Sequence, residues 1–368
     1  MPSSISSSDA YSYEDRPVPE LPWKKALLLA VGLMVLATAG WEFHARVNWG
    51  YEAEDYIDSY GLWAIERRRV DAGEADVAVI GASRILYDLD LDTFEEMTGM
   101  RPVQIAMVGT NPRPFLTDLA ADEDFKGLLI LGITPGSFFR HEHGIFADVI
   151  DHYRDESPSE WISQQISVLI EPHLSFYDSD NWPLFTLLER AGLEDREGIG
   201  PPGFPVWKLG SMKKDRNTKL FWKVEDDRAY QVHAQMTWRA FMQRADAAGG
   251  PPPFDLDAYL IEVIADIEKI RARGGDVVFV RPPSAGDYRP RELRLQPRAD
   301  YWDRLLRDTN SVGVHFEDHP ELQGFRIPEW SHLHSEDAPK FTAAMILILD
   351  AKLKAAGKPP ILAEEEEG

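Results

Sequence analysis

Read as apolar and polar positions, the chain changes period several times. ADVAVIG (75–81) is a continuous apolar run ending at glycine, as expected for a parallel strand buried on both faces. A helical period follows through Glu96. PVQIAMVG (102–109) reads as a second strand, residues 112–121 as a helix started by Pro112 and Pro114, and GLLILGI (127–133) as a third strand. The alternation then breaks. Residues 140–255 hold Trp- and Phe-rich helical pieces around a Pro/Gly-rich loop, GIGPPGFPVW (198–207), and GGPPP (249–253) closes them. Strands of the same style resume afterwards, so 140–255 is expected to be an insertion or lid rather than a free domain. FDLDAYLIEVIADIEKIRARGG (254–275) predicts a long amphipathic helix with a glycine stop. DVVFVRPP (276–283) and SVGVHFED (311–318) predict a fourth and a fifth strand. A last helix is expected from about Glu336 to Ala356, with Phe341, Ala344, Met345 and Ile348 on one face and Gly357 as its stop. This alternation predicts an α/β fold over residues 76–356: an open parallel sheet with helices on both faces. Ligands in such sheets sit at the carboxyl ends of the strands.

The N-terminal pattern is different. Residues 1–22 are rich in Ser, Pro and acidic residues and are expected to be disordered, and 357–368 reads as a solvated acidic tail. WKKALLLAVGLMVLATAGWEF (23–43) is apolar from Ala26 onward. Trp23 and Trp41 bracket it, about 27 Å apart at ~1.5 Å rise per residue. That length and the aromatic ends suit a transmembrane anchor, so residues 26–43 are expected to meet the membrane. Lys24, Lys25 and Arg16 outweigh Arg46, which puts the tail in the cytoplasm and the rest outside. Ala37-Thr38-Ala39 has the small-x-small pattern of a signal-peptidase site, so anchor and cleaved signal both stand. Either way the bulk of the chain is expected to be exported. Residues 47–75 read as a polar, partly helical connector. Arg67, Arg68 and Arg69 within it are expected on a solvated helix face.

Charge and cysteine content narrow the function. The net charge of −23 argues against a nucleic-acid partner, because phosphate binding needs basic patches. The chain has no cysteine, which excludes disulfides and thiolate metal sites. Two His-x-His pairs, His141 with His143 and His332 with His334, raise the question of zinc. No carboxylate spacing accompanies them, and no metal or cofactor is expected.

Ser83 lies just past the first strand in GASRIL. It is either the N-cap of the next helix or a nucleophile at a strand end. A nucleophilic serine needs a base, and the base an orienter. IPEWSHLHSEDA (327–338) supplies both: Glu329 stands three residues before His332, just ahead of the last helix. Position 85 is Ile, so the Gly-x-Ser-x-Gly elbow is not matched. Arg281 ends the fourth strand and Arg84 follows Ser83. Each is either a substrate-binding cation or half of a salt bridge. The insertion's aromatics, Trp238 and Phe241 among them, belong either to a core or to a carbohydrate cleft.

These blocks resemble the SGNH (GDSL-type) hydrolase superfamily, in particular its membrane-anchored bacterial branch. The resemblance covers residues 75–135 and 275–350 and leaves the insertion outside. It implies a three-layer α/β/α domain with a parallel, flavodoxin-like sheet. It implies that Ser83 is the nucleophile, His332 the base and Glu329 the orienting acid. The oxyanion donors it implies are the N–H groups of Ser83 and Gly109, with Asn111, Thr110 or Thr134 in place of the missing third-block asparagine. That block reads GITPGSFF (132–139) here, and the family's last-block aspartate is replaced by Glu329. The branch also implies an acylated carbohydrate substrate, a membrane-bound acyltransferase partner and a periplasmic domain on the bacterial inner membrane. A catalytically inactive scaffold that binds glycan or such a partner is the alternative.

Overall fold

The computed structural model describes residues 22–53, 55–141, 148–176, 208–250 and 253–363. The expected tail at 1–22 (save Pro22), the loop 198–207 and the end of the acidic tail therefore lie outside the described residues. The chain divides into two units, Met1–Tyr51 and Glu52–Gly368.

In the first unit a helix runs from Trp23 to His44 and continues as a wider turn to Trp49. The span of 27 residues contains an 18-residue stretch with a mean hydropathy of 1.9, enough in length and composition to cross a membrane. None of its residues from Trp23 to His44 is buried, and Leu27, Leu28, Leu33 and Leu36 are all exposed. A helix apolar all round with no protein packed on it is suited to lipid as its solvent. This is consistent with single-pass anchoring.

The second unit is built on a five-stranded sheet. Its strands are β1 (Val77–Gly81), β2 (Val103–Gln104), β3 (Leu128–Gly132), β6 (Asp276–Arg281) and β7 (Gly313–His315), in the order β2-β1-β3-β6-β7. Every pairing is parallel. A two-stranded antiparallel ribbon, β4 (Gly210–Met212) and β5 (Thr218–Leu220), stands apart. The order reverses direction at β1, so the switch point, where open sheets bind ligands, lies between the carboxyl ends of β1 and β3.

Alternation along the strands makes two cores. Ala78, Ile80, Leu129, Leu131, Val277 and Phe279 pack with Trp63, Phe115, Leu116 and Ile267. These come from the helices Tyr60–Asp71, Arg113–Ala121 and Leu256–Ala272. The intervening residues, Val79, Ile130 and Val278, point to the opposite face. There the helix Ala338–Ala355 packs on Ser83–Asp88, Leu91–Thr98 and β7.

Several boundaries differ from the pattern. The helical stretch through Glu96 is two helices, because Asp90 interrupts it and caps the second, its carboxylate accepting from the Thr93 amide at 2.8 Å. The second strand is short, although the amides of Ile105 and Met107 still donate to the carbonyls of Val79 and Gly81. The insertion is not wholly helical: the ribbon β4–β5 lies in it, its three-residue strands being too short to leave a periodic signal. The solvated arginine face is corrected most clearly. Arg67 is buried and pairs with Asp71, Asp118 at 2.8 Å and Asp122 at 3.0 Å, while Arg68 pairs with Glu156 and Arg69 with Glu66. Those carboxylates lie one helical turn away or on the helices Arg113–Ala121 and Val149–Asp155 and their flanks, so spacing along the arginine cluster could not reveal most of them.

Candidate active site

The site begins with two glycines. Gly81 and Gly132 are register partners at the ends of β1 and β3. A Cβ on either would come within 2.3 Å of the Ile85 side chain. The pair makes a flat platform on which Ile85 rests, and this seats the start of the helix Ser83–Asp88 directly on the strand ends. Ala82, not Ser83, is the N-cap residue, and no side chain caps this helix. Ser83 occupies the first helical position, half-buried, and its Oγ makes no hydrogen bond among the described residues. The capping role considered for this serine is therefore not the one it has.

The loop between Leu322 and the last helix delivers Glu329 and His332 to the same helix. Three consecutive residues of that loop meet three residues of the serine helix. Arg84 Nε donates to Ser331 Oγ at 3.3 Å. The Tyr87 and His332 rings pack with centroids 4.6 Å apart. The Leu333 amide donates to Asp88 Oδ1 at 2.8 Å.

Glu329 is fully buried. Its Oε1 accepts the amides of His332 at 2.6 Å and Ser331 at 3.2 Å. The same oxygen lies 3.0 Å from His332 Nδ1, at hydrogen-bond distance though off the line of a straight bond. The extra methylene of Glu over Asp is thus taken up by curling the side chain back onto its own turn. Trp330 lets the turn close by adopting a positive φ of 78°. Burial by itself would raise the Glu329 carboxyl. The His332 ring and the hydrogen bonds from His332 and Trp238 outweigh it and hold the carboxyl below the ordinary glutamate value. Glu329 is therefore a carboxylate at neutral pH. His332 Nε2 is buried and has no hydrogen-bond partner. The bond between Ser83 Oγ and His332 Nε2 is thus not formed. Such bonds often tighten only with substrate in place.

The expected oxyanion residues all follow the carboxyl ends of neighbouring strands. Ser83, Gly109 and Thr134 each lie two residues beyond a member of the bonded row Gly81, Met107 and Gly132. Neighbouring strands of a sheet are about 4.8 Å apart. Gly109 is exposed, with a positive φ of 61°. Asn111 is turned to other work: its Nδ2 donates to the Arg140 carbonyl at 2.8 Å and its Oδ1 accepts from the Arg113 amide at 2.9 Å. Thr110 is buried and donates to the Val108 carbonyl. Thr134 remains, half-buried, with no hydrogen bond of its hydroxyl among the described residues.

Arg84 and Arg281 both turn inward. Each is buried and shares Glu292, Arg84 Nη1 at 2.6 Å from Oε1 and Arg281 Nη2 at 2.5 Å from Oε2. Of the two roles read from sequence, this geometry supplies the salt bridge. Burial pushes Arg281 down to about 10. Burial would raise Glu292, but the two guanidinium groups prevail and bring it to about 2. Arg281 and Glu292 are both charged at neutral pH. Asp88, with Oδ2 unpartnered, is the opposite case: burial pushes it well above the usual aspartate range against the Leu333 amide and Arg84.

The histidine pairs separate. His143 lies outside the described residues. His334 is buried 3.6 Å from Glu225, and its Nδ1 accepts the Glu336 amide. Among the described residues no group of three His, Asp or Glu is arranged to hold a metal ion. A cleft lined by Val77, Gly127, Leu128, Gly275 and Asp276 lies at the amino ends of the strands, away from Ser83.

Sequence reasoning missed Tyr87, Ser331, Glu292 and Trp238 as members of this site. Trp238 had a signal, as one of the insertion's aromatics. The others had none, since their partners are up to 247 residues away. No family model matches the chain, and no curated protein matches it. The resemblance to SGNH hydrolases therefore rests on the sequence motifs alone.

Proposed function

We propose that this chain is a membrane-anchored, SGNH-like serine acyl-transfer enzyme. The observation that carries the reading is the union of an unbonded serine hydroxyl at the β1 end with a buried Glu–His pair. Side-chain contacts of Arg84, Tyr87 and Asp88 hold that pair against the serine's own helix.

In this mechanism Ser83 Oγ attacks the acyl carbonyl and its proton passes to His332 Nε2. Glu329 offsets the imidazolium charge. The N–H groups of Ser83 and Gly109 stabilise the oxyanion, aided by the Thr134 hydroxyl; the first-turn N–H of a helix has no intrahelical acceptor. The C–O bond to the alcohol breaks, and the alcohol leaves with the proton from His332. Acyl-Ser83 is then attacked by water, as in an esterase, or by a sugar hydroxyl, as in an O-acyltransferase. His332 takes the attacking proton and returns it to Ser83. Acyl esters of cell-envelope or extracellular polysaccharide are the proposed substrates, on the strength of the resemblance. The proposed setting is the periplasmic side of the bacterial inner membrane, beside a membrane-bound acyltransferase.

The unformed Ser83–His332 bond favours a second reading, an inactive scaffold that binds glycan or an acyltransferase partner. Fluorophosphonate labelling of the full chain in detergent separates the two. The Oγ–P bond forms, fluoride leaves and His332 takes the serine proton. Labelling that disappears in Ser83→Ala and His332→Ala supports the enzyme. A wild-type chain that stays unlabelled beside a reactive control hydrolase rules it out and leaves the scaffold.

A further inference from the structure

The helix Arg228–Ala247 lies in the insertion, outside the resemblance, yet it grips the loop that carries Glu329. Three residues on one of its faces meet three successive loop residues. Gln235 Nε2 donates to the Pro328 carbonyl at 2.7 Å. Trp238 Nε1 donates to Glu329 Oε2 at 2.5 Å. The Arg239 guanidinium lies over the Trp330 ring, 5.2 Å from its centroid, and pairs with Asp287. Positions three and four apart share a helix face, so one rigid element holds both neighbours of Glu329 together with Glu329 itself. Asp227 caps this helix through the amides of Ala229 and Tyr230.

We propose that Trp238 is a positioning residue of the acid–base pair, its indole N–H holding Glu329 ionised and aimed at His332. The proposal rests on the acyl-transfer reading.

The division of labour between the two carboxylate oxygens is the argument. Oε1 is served by its own turn, through the Ser331 and His332 amides and the His332 ring. Among the described residues, Oε2 has Trp238 as its only hydrogen-bond donor. An indole N–H donates and never accepts, so it favours the carboxylate over the carboxylic acid. The titratable and charged groups around Glu329 come from every neighbouring element. His332 is in its own loop and favours the charge; Asp88 on the serine helix and Tyr288 on the helix Tyr288–Leu295 interact with that charge unfavourably. Arg84 is bonded to Ser331 but engaged with Glu292, Arg239 is engaged with Asp287, and Glu225 faces His334. None of these donates a hydrogen bond to Oε2. Without the indole, that oxygen keeps its charge with no partner or takes up a proton. Either change weakens the alignment of His332.

The test is the rate of fluorophosphonate labelling of the full chain against pH, for wild type and Trp238→Phe, which keeps an aromatic ring and removes the donor. The expected result is labelling slowed roughly tenfold or more at neutral pH, the weight of a hydrogen bond to a charged group. The midpoint of the pH profile is expected to move. A purely structural role would lower the melting temperature and leave the midpoint in place. A folded Trp238→Phe with wild-type rate and midpoint overturns the inference. Should Trp238→Phe fail to fold, Gln235→Leu, which loosens the same helix without touching Glu329, decides: a shifted midpoint supports the inference and wild-type values overturn it. A wild type unlabelled at every pH overturns the acyl-transfer reading and this inference with it. Labelling in the wild type that the variants do not alter overturns only the role of Trp238.

Discussion

The Tyr87 and His332 rings pack against each other, centroids 4.6 Å apart and planes 36° from parallel. Tyr87 stands one helical turn after Ser83, so the ring that supports the base is carried by the same short helix as the proposed nucleophile. Truncating a buried aromatic costs about 3–5 kcal/mol. Tyr87→Ala is expected to fall in that range by denaturant unfolding. Its labelling is expected to drop at least tenfold under conditions where the variant is still folded. Labelling at the wild-type rate would mean that His332 is held elsewhere.

Glu292 gives a stability prediction with a defined pH window. Its folded-state value of about 2 lies below the ordinary 4.5, so the unfolded chain binds the extra proton. The resulting stability is complete above about pH 4.5 and is lost as pH falls toward 2. It amounts to on the order of 3 kcal/mol at ~1.4 kcal/mol per pKa unit. Glu292→Gln leaves Arg84 and Arg281 buried without their shared counter-charge. It is expected to destabilise by roughly 3–5 kcal/mol at neutral pH and to flatten the acid limb. Chemical denaturation at pH 3, 5 and 7 checks both statements.

Thr134 is the uncommitted hydroxyl at the strand end next to Ser83. Thr134→Val keeps the shape and removes the donor. A lost oxyanion donor costs about 10²–10³ in rate. The variant is expected to hydrolyse a simple activated ester that much more slowly, with a melting temperature close to wild type. Asn111→Ala is expected to do the reverse, lowering stability, because its amide ties the Arg140 and Arg113 backbones together. If Asn111→Ala abolishes turnover in a stable protein and Thr134→Val does not, the donor assignment is inverted.

The two units are expected to separate cleanly. A chain begun at Glu52 retains the whole of the second unit and is expected to stay in the supernatant after ultracentrifugation, folded and labelled as the full chain is. The full chain is expected to sediment with membranes and to require detergent. A sedimenting Glu52–Gly368 would point to a second membrane contact.

Much of the architecture was legible in the string of residues. Continuous apolar runs at 77–81, 128–132 and 277–280, bounded by turns, read as strands covered on both sides, and their alternation with helices points to parallel pairing, which the sheet has. The apolar stretch at 26–43, within the helical span Trp23–Trp49, was legible for the same reason, since a bilayer demands a long apolar stretch. Ser83, Glu329 and His332 could be picked out because each stands at a local landmark: a strand end, and a Glu-x-x-His turn before a helix.

What the sequence by itself determined is therefore whatever is encoded over distances of a few residues: the period of each element, the order of the strands along the chain and the Glu329–His332 pairing within one turn. Tertiary structure decided the rest, because those facts depend on which elements meet. It buried Arg67, Arg84 and Arg281 on carboxylates that are mostly remote in the chain. It turned Asn111 toward Arg140, and it replaced the capping role of Ser83 with a free hydroxyl above the Gly81–Gly132 platform. It also set a tryptophan of the insertion on the outer oxygen of Glu329. A buried charge or hydroxyl takes whatever partner the packing brings within about 3 Å, and the chain between the two leaves no record of that encounter.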